Sequence, residues 1–185
     1  MQVALVERAR AGDEEAFASL ARAAGDRLLA IAFRILRDLG LAEDAVQQTL
    51  VLAWRELPTN RDDERFDDWL HRLLVNSCYR EARRGRTWAA NVRVLPIDEP
   101  GRSDDFASVV QRDQLERGFR RLPPEQRAVF VFHHYLGLTL AEVATELGVP
   151  LGTVKSRLHY ATNTLRSALE ADLRSPTSTS REHSA

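Results

Sequence analysis

The sequence predicts an all-α protein built from two small helical domains joined by a flexible linker. Every strongly patterned segment repeats its apolar residues at helical spacing, and no alternation of apolar and polar residues runs long enough for a strand. The periodicity disappears once, from Thr87 to Asp105, in "TWAANVRVLPIDEPGRSDD", which carries two prolines, a glycine and a run of acids. Thr139 and Glu142 have capping-box spacing, and with Gly148 and an acid-free stretch after it they mark two helices around a tight turn. The expected boundaries are 1–86 for a four-helix domain, 87–105 for the acidic linker, 106–173 for a helix-turn-helix domain and 174–185 for a disordered tail.

Along the first domain, Asp13 is placed to cap a helix carrying Phe17 and Leu20, and a second helix carries Leu28, Ile31, Ala32, Ile35 and Leu36. Gly40 interrupts before a third helix, about 42–57, with Val46, Leu50, Ala53, Trp54 and Leu57 on one face. Pro58 ends it. A fourth helix, from Phe66 to about Arg86, turns Phe66, Trp69, Leu70, Leu73 and Ser77 inward. After the linker, Phe106, Val109, Val110, Leu115 and Phe119 begin the second helical set, and Pro123 or Pro124 opens the helix of "LPPEQRAVFVFHHYLGL". Leu140, Val143, Ala144 and Leu147 share the face of the next helix, and Pro150 starts the last one.

Composition narrows the function classes. With 44% hydrophobic and 29% charged residues, the 185-residue chain is not disordered throughout. No apolar run approaches the roughly 20 residues that span a bilayer, and acids stand where a signal peptide would be apolar, so a cytoplasmic protein without direct membrane insertion is expected. Cys78 is the only cysteine, which excludes an intrachain disulfide and a zinc-binding cysteine cluster. His133 and His134 have no third ligand at helical spacing and read as surface or packing histidines. No Ser/His/Asp set, phosphate loop or zinc spacing appears, so neither catalysis nor a cofactor or metal is expected. The net charge of −1 argues against a chain that coats nucleic acid alone, but it is a cancellation of patches: Arg72 to Arg93 holds six arginines against Glu81.

Two stretches point to nucleic acid. In the last helix, Val154, Leu158, Ala161 and Leu165 form the inward face, while Gly152, Ser156, His159, Tyr160 and Asn163 point outward, flanked by Lys155 and Arg157. From Pro150 to Leu169 there is no acid to repel phosphate. A helix-turn-helix places such a second helix in the major groove. On the fourth helix, Arg72, Asn76, Tyr79, Arg83 and Arg86 make a basic stripe with an aromatic ring and an amide, a combination that suits single-stranded nucleic acid. Asp44, Gln48, Val51 and Arg55 face outward from the third helix, where exposed Val51 and Leu52 point to a protein partner.

These segments resemble a known family. "AEDAVQQTLVLAWREL" is similar to region 2.2 of the extracytoplasmic-function (ECF) group of sigma-70 sigma factors, "FDDWLHRLLVNSCYREARRGR" to regions 2.3 and 2.4, and "LPPEQRAVFVFHHYLGLTLAEVATELGVPLGTVKSRLHYATNTLRSAL" to region 4. The resemblance implies a promoter-specificity subunit of RNA polymerase, directing recognition, melting and initiation. Asp44, Gln47 and Gln48, with Val51 beside them, would dock on the β′ clamp helices, and region 4 on the β flap. Lys155, Ser156, His159 and Tyr160 would enter the minus-35 major groove, with Arg157 on phosphate. Thr59, Asn60 and Arg61 would capture an unstacked minus-10 base, a step that costs a few kcal/mol. Asn76, Arg80, Arg83 and Arg84 would guide the melted strand beside Arg72 and Tyr79.

The resemblance also implies an anti-sigma partner. Asp98, Glu99, Asp104 and Asp105 would follow the RNA path, or else form a solvated tether. Gln48 stands where the family usually has an acid, and Leu50 where it usually has Phe. The rival reading is a two-domain LuxR-type regulator, whose N-terminal half would need a strand pattern that residues 1–86 lack.

Overall fold

The computed structural model describes residues 2–59, 65–91 and 115–173, and every regular element among them is helical. The order is α1 (Gln2–Arg10), α2 (Glu14–Leu36), α3 (Leu39–Glu56), a 3-10 turn (Leu57–Thr59) and α4 (Phe66–Asn91). Then come α5 (115–121), α6 (Pro124–Phe130) continued by a π turn (Val131–Tyr135), α7 (Leu140–Leu147) and α8 (Leu151–Leu173). The linker residues 92–105, with Asp98, Glu99, Asp104 and Asp105, lie outside the described residues, as do Phe106, Val109, Val110, Asn60, Arg61 and the tail 174–185.

The first half departs from the sequence expectation at each of its first three helices. Helix α1 was not foreseen, because only Val6 and Ala9 are buried on it, too sparse a pattern to stand out. Gly12, at φ 93°, ends it, and Asp13 caps α2 by accepting from the amide of Ala16 at 3.0 Å. That amide, and then Arg8, hold the Asp13 carboxyl below its usual range. Helix α2 is one element where two were expected, since Gly25 sits inside it with open space around it and tertiary packing carries the helix through. Helix α3 starts earlier than expected, at Leu39, because Asp38 caps it through the amide of Leu41 at 2.8 Å; Gly40 falls inside the first turn.

Burial also rotates two faces. On α3 the buried residues are Ala42, Ala45, Thr49 and Ala53, while Val46, Leu50 and Trp54 are half-buried. The Thr49 hydroxyl is satisfied within the helix, donating to the Ala45 carbonyl at 2.6 Å. On α4 the deepest residues are Phe66, Leu70, Leu74, Val75, Ser77 and Cys78, with Trp69 and Leu73 half-buried. Nothing in the Thr87–Asn91 segment breaks a helix, so α4 runs five residues past the expected end near Arg86.

The second half follows its local signals closely. Pro124 occupies the first position of α6. Thr139 and Glu142 close a reciprocal capping box at 2.7 and 3.3 Å, and Gly148 ends α7 at φ 62°. The two halves are in contact: the buried apolar cluster runs from Val6 through Cys78 to Ala128, Val129, Phe132, Val143 and Val154. A smaller cluster of Leu122, Ala161 and Leu165, with Phe119 and Phe130 against it, ties α5 to α8.

Candidate nucleic-acid interface

Helix α8 is held by its apolar face. Val154 and Ala161 are fully buried, Leu165 nearly so and Leu158 partly, as the helical spacing predicts. The opposite face is open: Lys155, Ser156, His159 and Tyr160 are exposed, Tyr160 at 61%. Ser156 donates its hydroxyl proton to the Thr153 carbonyl at 3.0 Å, which leaves its lone pairs directed outward. The Asn163 amide nitrogen lies 2.9 Å from His159 Nε2, and the His159 ring stands edge-on to Tyr160 at 6.0 Å. Two aromatic rings, an ammonium and a hydroxyl thus project from one rigid, acid-free surface able to meet base edges and phosphates.

Arg157 is half-buried and turned toward α4, where its charge acts on Tyr79. Tyr79 is itself half-buried, and burial, with Arg157 opposing it, pushes its phenol above the ordinary value. Arg72 is half-buried too. The predicted stripe therefore divides. Its Asn76 and Arg83 are exposed, as are Arg80 and Arg84 beside them, whereas Arg72 and Tyr79 turn toward the second half. Arg84 is steadied by Glu81 at 3.1 Å, and Arg80 donates to Ser77 at 3.3 Å. Thr59 is exposed, with its hydroxyl committed to the Glu56 carbonyl at 2.8 Å. Nothing is described of the Arg86 side chain.

On α3, Asp44, Gln47 and Val51 are exposed and Gln48 is half-exposed, so the four share a strip along one side. Val51, at 50%, is an apolar centre among polar neighbours. Elsewhere, His133 Nδ1 lies 2.7 Å from the Leu138 carbonyl oxygen, and the exposed His134 ring lies tilted against Phe130 at 4.4 Å. Among the described residues no cluster of His, Cys, Asp or Glu could hold a metal ion, and no helix is long and apolar enough to cross a membrane.

Sequence reasoning missed the contacts between the halves. Arg37, at the end of α2, donates through Nε to Glu116 of α5 at 2.9 Å. The Arg34 guanidinium lies 3.8 Å from the Tyr135 ring centre, and His71 of α4 stands edge-on to Phe132 at 5.8 Å. Glu146 of α7 is buried facing Asp68 of α4. The only sequence signal was an acid on the inner side of a short helix, which periodicity alone does not distinguish from a solvated one.

Comparison with known proteins defines the class. The model for "Sigma-70 region 2" matches residues 20–88, and that for "Sigma-70, region 4" matches residues 112–165. The ECF RNA polymerase sigma factor SigL of Mycobacterium tuberculosis is 34% identical over 166 residues, covering 86% of this chain and 94% of that protein. The RNA polymerase sigma-H factor of Pseudomonas aeruginosa is 28% identical, covering 92% and 94%. Among solved structures, CnrH in complex with the cytosolic domain of CnrY matches with a TM-score of 0.65 at 24% identity, covering 92% and 98%. The sigma factor RpoE of Bartonella quintana, in complex with the anti-sigma factor NepR, matches at 0.62 and 24%, covering 80% and 92%. These two establish likeness of fold.

The chain belongs to the ECF group of the sigma-70 family of RNA polymerase sigma factors. The regulator alternative is not favoured, since the N-terminal half matches sigma region 2.

Proposed function

We propose that this chain binds core RNA polymerase and directs it to a set of promoters, recognising the minus-35 element through α8 and opening the minus-10 element through region 2. The observation that carries the reading is the acid-free outer face of α8, held rigid by buried Val154, Ala161 and Leu165 in a chain that also has region 2. In this reading Lys155, Ser156, His159 and Tyr160 meet base edges and Arg157 meets phosphate. Thr59, Asn60 and Arg61 hold a displaced base, and Arg72, Asn76, Tyr79, Arg80, Arg83 and Arg84 lead the melted strand. Asp44, Gln47, Gln48 and Val51 dock on the β′ clamp helices, and region 4 rests on the β flap. Residues 1–86 and 106–173 act as the two working units, with 87–105 as the connection between them.

No catalytic step is assigned to the chain; strand opening draws on binding energy within the polymerase complex. It acts in the cytoplasm, where the polymerase is, without a cofactor. Two relatives of like fold are held in complexes, one with an anti-sigma factor, and an anti-sigma partner is proposed here as well.

Run-off transcription tests this. Purified protein with core polymerase on pooled promoter fragments should give discrete start sites that core alone does not. Sequence-specific DNA binding by the chain alone, with no new starts, would overturn the proposal in favour of a regulator.

A further inference from the structure

The seam between α4 and the second half is unlike a permanent core. Three buried polar atoms on it, the Tyr79 hydroxyl, His71 Nε2 and Glu146 Oε2, meet no hydrogen-bond partner among the described residues. Native interiors seldom leave such atoms unpaired, so their gathering on one seam marks a surface that also exists uncovered. Glu146 is the sharpest case. It is only 4% exposed, and it faces the carboxyl of Asp68, which is partly exposed and paired with Arg65 at 3.1 Å. Two carboxylates offer each other acceptors only; a proton on one of them turns the repulsion into a hydrogen bond.

We propose that the α4 face carrying Arg72 and Tyr79 is a docking surface for the α6–α8 half of the same chain, and that one proton held between Asp68 and Glu146 sets how firmly it closes. The occupant is seated there in the structure: Phe132 lies on His71, and Arg157 acts on Tyr79. Closure thus brings a proposed phosphate contact near a proposed strand-guiding residue and leaves both only partly exposed. The inference goes beyond the proposed function, and its test needs neither polymerase nor promoter.

The groups around the pair define the pH response. Burial, then Asp68, raises the Glu146 carboxyl to about 7, with Arg72 and Arg65 pulling the other way. On its own helix, Glu142 is committed to Thr139. The π turn and α8 also touch α7, but His133 is engaged by Leu138, His134 by Phe130 and Arg157 by Tyr79, while Lys155 is exposed. His71 opposes Glu146: burial, followed by Arg27, lowers its pKa, so acid below its ordinary 6.5 favours the uncovered form. For Glu146, closure is helped fully below its ordinary 4.5, and that help is lost as the pH rises through about 7.

The test is energy transfer between dyes on the full chain, at Ala18→Cys and Ser167→Cys, both exposed; buried Cys78 stays unlabelled. Glu146→Gln supplies the hydrogen bond without a titrating proton, and Asp68→Asn does so from the other side. His71 titrates alike in the wild type and Glu146→Gln, whereas Asp68→Asn also removes a charge that raises the His71 pKa. From about pH 5.5 to about pH 8.5, the wild-type closure constant should fall on the order of tenfold relative to Glu146→Gln. Low transfer in the wild type at every pH, or one pH profile shared by all three proteins, would overturn the proposal.

Discussion

Arg37 ends α2 in the left-handed backbone region, at φ 59°, and from there its guanidinium clasps Glu116, 79 residues further along the chain. It is the one non-glycine residue at positive φ among the described residues. Its guanidinium also lies near the rings of Phe33 and Phe119, at 5.2 and 5.9 Å from their centres. Glycine is the usual residue at a left-handed helix end because a Cβ crowds the carbonyl there. An arginine at this point keeps that backbone cost and gains a link between the two halves.

Replacement separates the two contributions. Arg37→Ala and Arg37→Gly both lose the clasp, but only alanine retains the crowded Cβ. The glycine variant should be the more stable of the two by about 1 kcal/mol in urea denaturation. Equal midpoints would show that the backbone at this position is unstrained.

Gly118 lies at a close approach of two helices. A Cβ there would stand 3.1 Å from both the Ala168 Cβ and the Leu165 Cδ2 atoms. Gly118→Val should therefore push α5 off α8, destabilising by about 1–3 kcal/mol despite removing a helical glycine. Thermal unfolding would record this as a lowered Tm.

Thr139 caps α7 and fixes the first helix of the helix-turn-helix. Thr139→Ala should cost about 1 kcal/mol. It should also shift the acid limb of the stability profile. Hydrogen bonds from Thr139 hold the Glu142 carboxyl below its ordinary 4.5, so this stabilisation is present above that value and lost as the pH falls through the lowered one. Acid titration followed by circular dichroism, wild type against variant, compares the two limbs.

Cys78 is fully buried, and burial raises its thiol to about 12. The thiolate is the reacting species. A disulfide reagent near neutral pH should leave the native protein unlabelled and modify one thiol per chain once urea unfolds it. Rapid labelling of the folded chain would contradict the packing of α4.

The proposed surfaces should separate by readout. Lys155→Ala should weaken promoter-directed transcription at limiting factor, with roughly 1–3 kcal/mol at stake for a good base contact, while affinity for core polymerase stays unchanged. Gln47→Ala should do the reverse, lowering affinity for core in a direct binding assay. A loss of both properties in either variant would mean that the two surfaces are not independent.

The capping box, the left-handed Gly148 and the inward face of α8 were legible in the residues because each is a local rule: hydroxyl and carboxyl three apart, a glycine after the last turn, apolar residues at helical period. Helix α1 was not, since two buried residues in nine make no pattern. The single helix α2 was not either, because a glycine that disfavours a helix locally is overridden when both flanks are anchored in one core.

The sequence by itself determined an all-α chain, its two helical sets, the acid-free face of α8 and the family it resembles, because propensity, capping and periodicity act over a few residues. Only the tertiary structure decided that Thr49 lies on the buried side of α3, that Tyr79 and Arg72 turn from the rest of their stripe, and that Glu146 is buried facing Asp68. A helix's period states which residues share a face; which face is covered depends on the elements that arrive from elsewhere in the chain.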